Sequence, residues 1–359
     1  MYGPLPTNDL DEAISRDPSI WEDFRGATVL LTGGTGFIGS WMVATLQQAS
    51  KRLQLGTKIV LLTRNPEAPR LRTLGFTDQS DITLISADVR EPISYQAAVT
   101  HVVHAATDAS AKLNTERPQE MVDTIIDGTR NALAYAECHR PRRLLFLSSG
   151  AIYGKQAPAS HVDEDCRLAP DPLGVGSAYG EGKRLAEQLC AISGRRPGAT
   201  HLTIARCFAF VGPLLPLDAH FAIGNFIRDG IQGREVNISG DGSAVRSYLY
   251  AGDLAAWLWT IMVRGQHLRP YNVGSDQGLD MRAIAAVVAG RFQPALAVNV
   301  LGRPSGAPPD IYVPRVERAR SELGLQVWTP LATAVEKTIS WHRHAGQVVD
   351  VSSSCRRNL

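Results

Sequence analysis

The chain is organised around the stretch Val29-Leu30-Leu31-Thr32-Gly33-Gly34-Thr35-Gly36-Phe37-Ile38-Gly39. Its apolar start predicts a buried parallel strand, and the amphipathic run from Ser40 to Gln48 predicts a helix. The glycines between them allow a sharp turn and a close approach to a pyrophosphate, which would face the free N–H groups of the helix. The stretch therefore predicts a dinucleotide site. Its predicted cofactor contacts are Gly33, Gly36, Phe37, Ile38 and Gly39.

The composition of the 359 residues excludes several classes of protein. The formal net charge is only +2, and Lys and Arg form no run with interleaved aromatic residues, so nucleic acid is not an expected partner. No apolar stretch is long enough to span a bilayer, and the polar N-terminus is unlike a signal segment. The five cysteines are scattered without CxxC pairs, which predicts reduced thiols and no metal site. We therefore expect a cytoplasmic protein that binds neither membrane nor metal.

Apolar strands alternate with helices up to about residue 205, which predicts an α/β fold with a doubly wound, Rossmann-type parallel sheet. Irregular mixed structure follows and predicts a smaller C-terminal α/β lobe that binds the substrate. Within it, residues 236–242 resemble a hairpin, and Asp253 is expected to cap a helix over 254–262. The predicted division is an N-terminal arm (1–25), a dinucleotide-binding domain (26–205, with returning segments near 240–262), a substrate lobe (206–345) and a disordered tail (346–359).

The second predicted strand, from Lys58 to Arg64, ends without a carboxylate. In dinucleotide folds an acid at this position binds the ribose hydroxyls of NAD, whereas an arginine accommodates the extra phosphate of NADP. Arg64 can form charge-assisted hydrogen bonds with that phosphate, so NADP(H) is favoured and NAD(H) is the alternative. The competing interpretation is that Arg64 is a solvated side chain that stacks on adenine.

Two predicted elements bring hydroxyl groups to the carboxyl edge of the sheet, where ligands of such sheets bind. One strand ends in Ser148 and Ser149, and a later helix carries Tyr179 and Lys183 four residues apart, on one face. A protonated lysine stabilises a nearby phenolate and lowers the phenol pKa from about 10. Tyr179 is therefore a candidate general acid or base. The small side chains of Ala105-Ala106, at the end of another strand, leave room for the cofactor.

With these features the chain resembles the extended short-chain dehydrogenase/reductase family, in particular its nucleotide-sugar epimerases, dehydratases and 4-ketoreductases. The resemblance runs from about Thr28 to Trp341. It rests on the glycine turn, on Tyr179 with Lys183, and on five further segments: Asp88-Val89, His104-Ala105-Ala106, residues 148–154, Val211-Gly212-Pro213, and Gly240-Asp241-Gly242 leading to Arg246.

The resemblance implies a role for each matching residue. Ser149 takes the catalytic Ser/Thr position of the family, Tyr179 its acid/base position, and Lys183 the position that binds the cofactor ribose and tunes the tyrosine. The remaining implied contacts are Asp88 and Val89 around adenine, and Arg246, Arg303 and Asn225 at the sugar-nucleotide diphosphate. Relatives pair the helices that correspond to residues 118–139 and 178–193 as a four-helix bundle, which implies a homodimer.

The departures from the family pattern reduce the number of reactions that we expect this chain to catalyse. The family's dehydratases place Asp-Glu directly after the catalytic Ser/Thr, and its uronate decarboxylases place Glu at the second of those positions. Here these positions are Gly150 and Ala151, so the usual acid/base helper for elimination or decarboxylation is missing. The usual Asn of the NxxGT pattern is Ile125, and the usual Asn before the VGP segment is Ala209.

The leading hypothesis is NADPH-dependent reduction of a nucleotide-linked 4-keto-(6-deoxy)hexose by Ser149, Tyr179 and Lys183. The alternative is an NAD-dependent 4-epimerase that uses the same residues. A dehydratase or a decarboxylase is a less favoured alternative. A non-catalytic dinucleotide-binding module is a more remote alternative, because the chain retains Ser149, Tyr179 and Lys183 together.

Overall fold

The computed structural model describes residues 3–77, 79–107, 110–156, 161–219, 221–304 and 306–354. The strands are β1 Thr28–Thr32, β2 Lys58–Thr63, β3 Ile82–Ser86, β4 His101–His104, β5 Arg143–Ser149, β6 His201–Cys207, β7 Phe210–Val211, β8 Val236–Ile238, β9 Val245–Arg246, β10 Leu249–Tyr250, β11 Pro270–Val273, β12 Leu279–Asp280, β13 Val298–Val300 and β14 Ile311–Tyr312. The helices are α1 Thr7–Ser15, α2 Phe37–Arg52, α3 Pro69–Thr73, α4 Ala111–Glu116, α5 Pro118–His139, α6 Ala178–Gly194, α7 Ala222–Ile231, α8 Ala251–Arg264, α9 Met281–Ala289, α10 Glu317–Leu323 and α11 Leu331–Ser354.

A seven-stranded parallel sheet forms the centre, in the order β11-β6-β5-β4-β1-β2-β3. The predicted Rossmann-type α/β fold is therefore confirmed. The apolar side chains of each central strand divide between two cores, because successive residues of a strand face opposite sides of the sheet. In β1, Val29 and Leu31 belong to the core beneath α2 and α8, whereas Leu30 belongs to the core beneath α5 and α6.

Helix α8 is buried almost all round, and Trp257 and Trp259 are fully inside the core. Together with β11 it returns the chain to the central sheet over residues 251–273, a later segment than the 240–262 predicted from the sequence. Helix α8 begins at Ala251, so Asp253 lies in the first turn and does not cap the helix. Instead its carboxylate accepts hydrogen bonds from the backbone N–H groups of Trp328 and Thr329 and from the Thr329 hydroxyl.

The C-terminal lobe contains two small sheets that combine distant segments of the chain. Strand β8 pairs in parallel with β13, so the hairpin predicted over 236–242 does not form. Strand β9 pairs with β12 and with β14. The lobe therefore brings residues near 240 and residues near 310 together, which is the region where the phosphate-binding arginines were predicted.

The N-terminal segment is a packed part of the molecule and not an arm. Helix α1 packs on α2 and α8, and its buried Asp9 accepts a hydrogen bond from the Tyr250 hydroxyl at 2.5 Å and another from Lys337 of α11. The indole N–H of Trp341 donates to the Pro4 carbonyl at 2.9 Å. Helix α11 continues to Ser354, past the start of the predicted disordered tail, and the rest of that tail lies outside the described residues. Among the described residues, no helix has the length and apolar character needed to cross a membrane.

Candidate active site

The glycine turn after β1 leaves space that side chains would fill. Gly33 has φ +73°, and a Cβ atom built on it would lie 2.7 Å from the backbone of Ala105 and Ala106 at the end of β4. A Cβ atom on Gly39 would lie 2.2 Å from the Gly33 carbonyl oxygen. Gly36 precedes the first turn of α2, which begins with Phe37 and Ile38. The turn therefore fits the close approach of a dinucleotide to a helix N-terminus, as the sequence predicts.

A buried chain of hydrogen bonds holds the ends of β1 and β4 in place beneath this turn. The Thr32 hydroxyl oxygen accepts the Ala106 N–H at 3.2 Å and lies 2.8 Å from Nδ1 of His104. The Nε2 atom of His104 lies 3.3 Å from the hydroxyl of Thr129, which donates to the Ile125 carbonyl. Burial lowers the pKa of His104 to about 3, so the ring is neutral at physiological pH. The backbone carbonyl of Ile125 thus anchors this chain where the family pattern has an Asn side chain.

The predicted Ser149, Tyr179 and Lys183 lie at the carboxyl edge of the sheet. Ser149 is the last residue of β5; its hydroxyl accepts the Ala151 N–H at 3.1 Å and lies close enough to the Tyr179 phenol to favour its ionised form. Tyr179 and Lys183 lie one turn apart on α6, which packs against β5. The Tyr179 N–H is itself held by the Asn114 side-chain oxygen at 2.9 Å. The structure thus places a serine hydroxyl and a phenol near each other at the edge of the sheet where the predicted cofactor turn lies.

The expected effect of Lys183 on Tyr179 is not what this structure shows. Burial raises the pKa of Tyr179 to about 12, and the nearby Ser149 hydroxyl opposes that shift. The Lys183 ammonium is turned to Thr107 and to the Leu147 carbonyl, at 2.8 Å each. Burial lowers the pKa of Lys183 to about 8. In this state desolvation dominates both groups, so the phenol is protonated at neutral pH.

Two aromatic residues that sequence reasoning missed complete the surroundings of Ser149. Tyr312 of β14 lies near Ser149, whose hydroxyl opposes the rise that burial causes in the Tyr312 pKa, and its ring lies 4.8 Å from that of Phe208. The Phe208 ring covers Gly150, where an added Cβ atom would lie 2.7 Å from ring atoms. Both residues stand in short segments without a motif, and Tyr312 comes from a two-residue strand far along the chain. No signal in the sequence pairs them with Ser149.

A buried ion pair lies directly beneath the site. Arg206 of β6 donates to Glu187 of α6 through Nε at 3.0 Å and through Nη2 at 2.8 Å, and both side chains are nearly buried. The Ser148 hydroxyl donates to the same carboxylate at 2.5 Å. Arg206 also donates to the Tyr153 hydroxyl and to the Glu164 carbonyl, at 2.8 Å each. This network connects β5, which carries Ser149, with α6, with β6 and with the segment over residues 153–164.

The residues predicted around adenosine lie at the ends of β2 and β3. Arg64 is exposed and directly follows β2. The Arg90 side chain forms two bonds with the Asp88 carboxylate, at 3.0 and 2.8 Å, and lowers the Asp88 pKa to about 2, with Arg64 adding a smaller effect. The Val89 carbonyl accepts a hydrogen bond from Asn131 of α5. Arg64 and Asp88 therefore belong to one charged region at the predicted adenosine end.

The predicted phosphate ligands all belong to the C-terminal lobe. Arg246 of β9 is held by Asp310, with Nη2 2.5 Å from the carboxylate and Nη1 2.8 Å from the backbone carbonyl. The exposed Arg303 follows Gly302, which packs on the 240–241 turn that precedes β9. Asn225 of α7 accepts a bond from Arg228 through its side-chain oxygen at 3.2 Å. Arg246 of β9 pairs in register with Tyr312 of β14. This pair of strands therefore holds both a predicted phosphate ligand and the tyrosine that lies near Ser149.

Comparison with known proteins agrees with this arrangement. The model of the NAD dependent epimerase/dehydratase family matches residues 29–274. UDP-glucuronic acid decarboxylase 2 of Arabidopsis thaliana is 29% identical over 308 residues, which is 85% of this chain and 65% of the length of that relative. Among solved structures, an epimerase from Methanothermobacter thermautotrophicus superposes with a TM-score of 0.78 at 19% identity, covering 93% of this chain and 97% of that one.

A second solved structure, a dTDP-glucose 4,6-dehydratase from Streptomyces venezuelae with NAD bound, has a TM-score of 0.74 at 20% identity and covers 88% of this chain and 97% of that one. The two structural matches share the fold, and the family model spans the glycine turn, Ser149, Tyr179 and Lys183. The chain therefore belongs to the NAD-dependent epimerase/dehydratase family, within the nucleotide-sugar group of the extended short-chain dehydrogenases/reductases.

Proposed function

We propose that the protein reduces the ketone of a nucleotide-linked 4-keto-(6-deoxy)hexose with NADPH. The observation that carries this proposal is the environment of Ser149. Its hydroxyl lies close to the partly buried phenol of Tyr179, and the Phe208 ring covers Gly150, where dehydratase relatives place an acid. The site therefore offers hydrogen-bond donors to a ketone oxygen and has no carboxyl group at position 150 or 151.

The glycine turn over residues 33–39 and Lys183 would hold the dinucleotide, which would supply the hydride for the carbonyl carbon. Tyr179 donates its proton to the developing alkoxide, while the Ser149 hydroxyl donates a hydrogen bond to the same oxygen. A phenol whose pKa is raised to about 12 by burial carries this proton throughout the neutral range. General acid catalysis of this kind contributes about 10² to 10⁴-fold, and fixed orientation of the reactants adds to it.

The curated relative named above acts as a decarboxylase, but the lining of this site argues against that reaction here. Decarboxylase relatives place Glu at the position of Ala151. A neutral methyl group there cannot take up or deliver a proton, and Phe208 leaves no room for a side chain on Gly150 without movement of its ring. We therefore rank both decarboxylation and elimination below reduction.

The proposed preference for NADPH rests on Arg64. The side chain is exposed at the end of β2 and lies near Asp88, so it can reach a 2′-phosphate at the adenosine end. The proposed substrate contacts are Arg246 and Arg303 at the diphosphate, with Asn225 nearby. All of them stand in the C-terminal lobe, and Arg246 is linked through β14 to Tyr312 beside Ser149.

A redox-neutral 4-epimerase is the second candidate. It is favoured by the related fold that binds NAD and by the presence of the same Ser149, Tyr179 and Lys183. Its first step requires Tyr179 to remove a proton from a sugar hydroxyl. The raised pKa of Tyr179 in this state opposes that step, which is why we place the epimerase second.

We also propose a homodimer formed through α5 and α6. These helices pack against each other and leave Leu185 and Ile192 of α6 about half exposed. The two apolar side chains are seven residues apart on one face of the helix, as a helix–helix interface requires. Light scattering on the purified protein tests this, and a monomer at micromolar concentration would contradict it.

The function is tested first on the purified protein. Mass spectrometry identifies the dinucleotide released on denaturation, and fluorescence titration compares NADPH with NADH. Absorbance at the reduced nicotinamide band then follows turnover with 4-keto-6-deoxyhexoses linked to dTDP, UDP, CDP and GDP. We expect an exchangeable site that prefers NADPH, and turnover that Tyr179→Phe abolishes without loss of cofactor affinity.

Other results would separate the alternatives. Tightly held NAD⁺, with interconversion of 4-epimers and no net oxidation, would replace the reductase by the epimerase. Release of CO₂ from UDP-glucuronic acid would replace it by the decarboxylase. Turnover that survives in Tyr179→Phe would overturn the assignment of the acid.

A further inference from the structure

The hydroxyl of Thr107 is a fixed acceptor for the Lys183 ammonium. Lys183 Nζ donates to Thr107 Oγ1 at 2.8 Å, and the Thr107 hydroxyl in turn donates to the Ala106 carbonyl at 2.7 Å. Because its own proton is committed to that carbonyl, the oxygen presents only lone pairs to the ammonium. A second acceptor, the Leu147 carbonyl of β5, also lies 2.8 Å from Nζ.

We propose that Thr107 is a positioning residue, which keeps Lys183 charged and oriented for catalysis. Two of the three ammonium protons are bound by acceptors from different parts of the sheet. Thr107 follows β4, and Leu147 belongs to β5. Rotation about the last bond of the side chain would break both hydrogen bonds, so the third N–H has a defined direction. This inference rests on the proposed function, since that function assigns Lys183 to the cofactor and to Tyr179.

The charge of Lys183 depends strongly on these neutral acceptors. The side chain is only 3% exposed, and burial alone favours the neutral amine. The titratable groups around it are Tyr179, Glu187 and Cys190 of α6, Cys207 of β6 and His104 of β4.

Most of these neighbours supply no compensating negative charge. Burial raises the pKa of Cys207 to about 12 and raises that of Cys190 further, so both thiols are neutral. The Glu187 carboxylate is bound to Arg206 and Ser148. The ring of Phe146, 5.1 Å from Nζ, adds a weak cation–π attraction. Both acceptors bind the charged form of Lys183, so loss of one of them should lower the pKa of the ammonium further.

The test compares Thr107→Val, which removes the hydroxyl at nearly constant volume, with Thr107→Ser, which retains it. Thr115→Val is the matched control, because Thr115 is an exposed α4 residue whose hydroxyl donates to the Ala111 carbonyl of its own helix. One measurement is the pH profile of kcat/KM. The other is the dissociation constant of the preferred dinucleotide between pH 6 and 10, from its fluorescence, which needs no substrate and no turnover.

For Thr107→Val we expect the alkaline limb of both profiles to move down by about one pH unit, because a hydrogen bond to a charged group is worth about one pKa unit or more. Thr107→Ser and Thr115→Val should follow the wild type. The proposal would be overturned if the alkaline limb of Thr107→Val lay at the same pH as that of the wild type. It would also be overturned if the limb moved as far in Thr107→Ser as in Thr107→Val. If the valine variant does not fold, Thr107→Ala serves in its place.

A wild type that binds dinucleotide but reduces no 4-keto sugar would refute the proposed function alone, because the pH profile of dinucleotide binding still tests the role of Thr107.

Discussion

Replacement of Glu187 by glutamine should destabilise the protein far more than the same change elsewhere on α6. Glu187 forms two bonds with Arg206, at 3.0 and 2.8 Å, and accepts a third from Ser148 at 2.5 Å. The side chains of the pair are only 13% and 12% exposed, so water cannot replace a lost partner. Removal of one partner from a buried pair costs about 3 to 5 kcal/mol. We expect about 3 kcal/mol, because Arg206 keeps its bonds to Tyr153 and to the Glu164 carbonyl.

The matched control is Glu181→Gln, on the same helix. Glu181 lies 3.7 Å from Arg184, and both side chains are more than one-third exposed. An exposed pair of this kind is worth less than about 0.5 kcal/mol. The free energy of unfolding is measured by denaturant titration, followed by tryptophan fluorescence and circular dichroism, with the thermal midpoint as a second measure.

A double variant separates charge burial from general damage. Arg206→Gln in the Glu187→Gln background removes the unpaired cation, so the combined loss should be smaller than the sum of the two single losses. Our account of the pair would be refuted if Glu187→Gln lost no more stability than Glu181→Gln. Strict additivity in the double variant would refute it as well.

Three further outcomes follow from individual side-chain contacts. Asp310→Asn should lower KM for the nucleotide sugar several-fold at nearly unchanged kcat, because it frees Arg246 from a competing carboxylate; an unchanged or raised KM would show that the pair orients Arg246 instead. Gly150→Ala should cost about 1 to 3 kcal/mol of stability by denaturant titration, because its Cβ meets the Phe208 ring, and an unaffected variant would show that the ring moves freely. Asp23, whose pKa is lowered to about 2 chiefly by its hydrogen bond with a buried histidine, contributes stability that is present above about pH 4 and lost as the pH falls towards 2. The thermal midpoint of Asp23→Asn should therefore fall less between pH 4 and pH 2 than that of the wild type, and parallel curves would contradict this linkage.

The strands, the long helices and the carboxyl-edge residues could be predicted because local patterns specify them. Apolar runs of Val and Leu gave β1 and β2, and the predicted helix over 118–139 matches α5. Ser149, Tyr179 and Lys183 lie at the carboxyl edge of the sheet. Ser149 ends strand β5, and the other two residues stand in the first two turns of α6, the next long helix in the chain.

What could not be predicted depends on contacts between distant segments. Tyr312 reaches Ser149 only because β14 pairs with β9, and a two-residue strand carries no periodicity that could reveal this. Asp9 lies in the polar segment that was predicted to be an N-terminal arm, yet it is buried and accepts hydrogen bonds from Tyr250 and Lys337. The Tyr179 pKa was misjudged for a similar reason, since helical spacing shows which side chains are neighbours but does not report how completely they are desolvated.

The return of the chain to the sheet through α8 and β11 limits how the protein can be divided. A fragment that ends near residue 205, the predicted domain boundary, would lack β11 and leave β6 as an unpaired edge. The inner residues of β6 are largely buried, and its register with β11 extends over Ile204 to Cys207. An uncovered apolar edge of this kind pairs with other chains and promotes aggregation. Expression of the cofactor-binding half by itself therefore requires residues up to at least 273, however clearly the repeating strand–helix pattern ends before them.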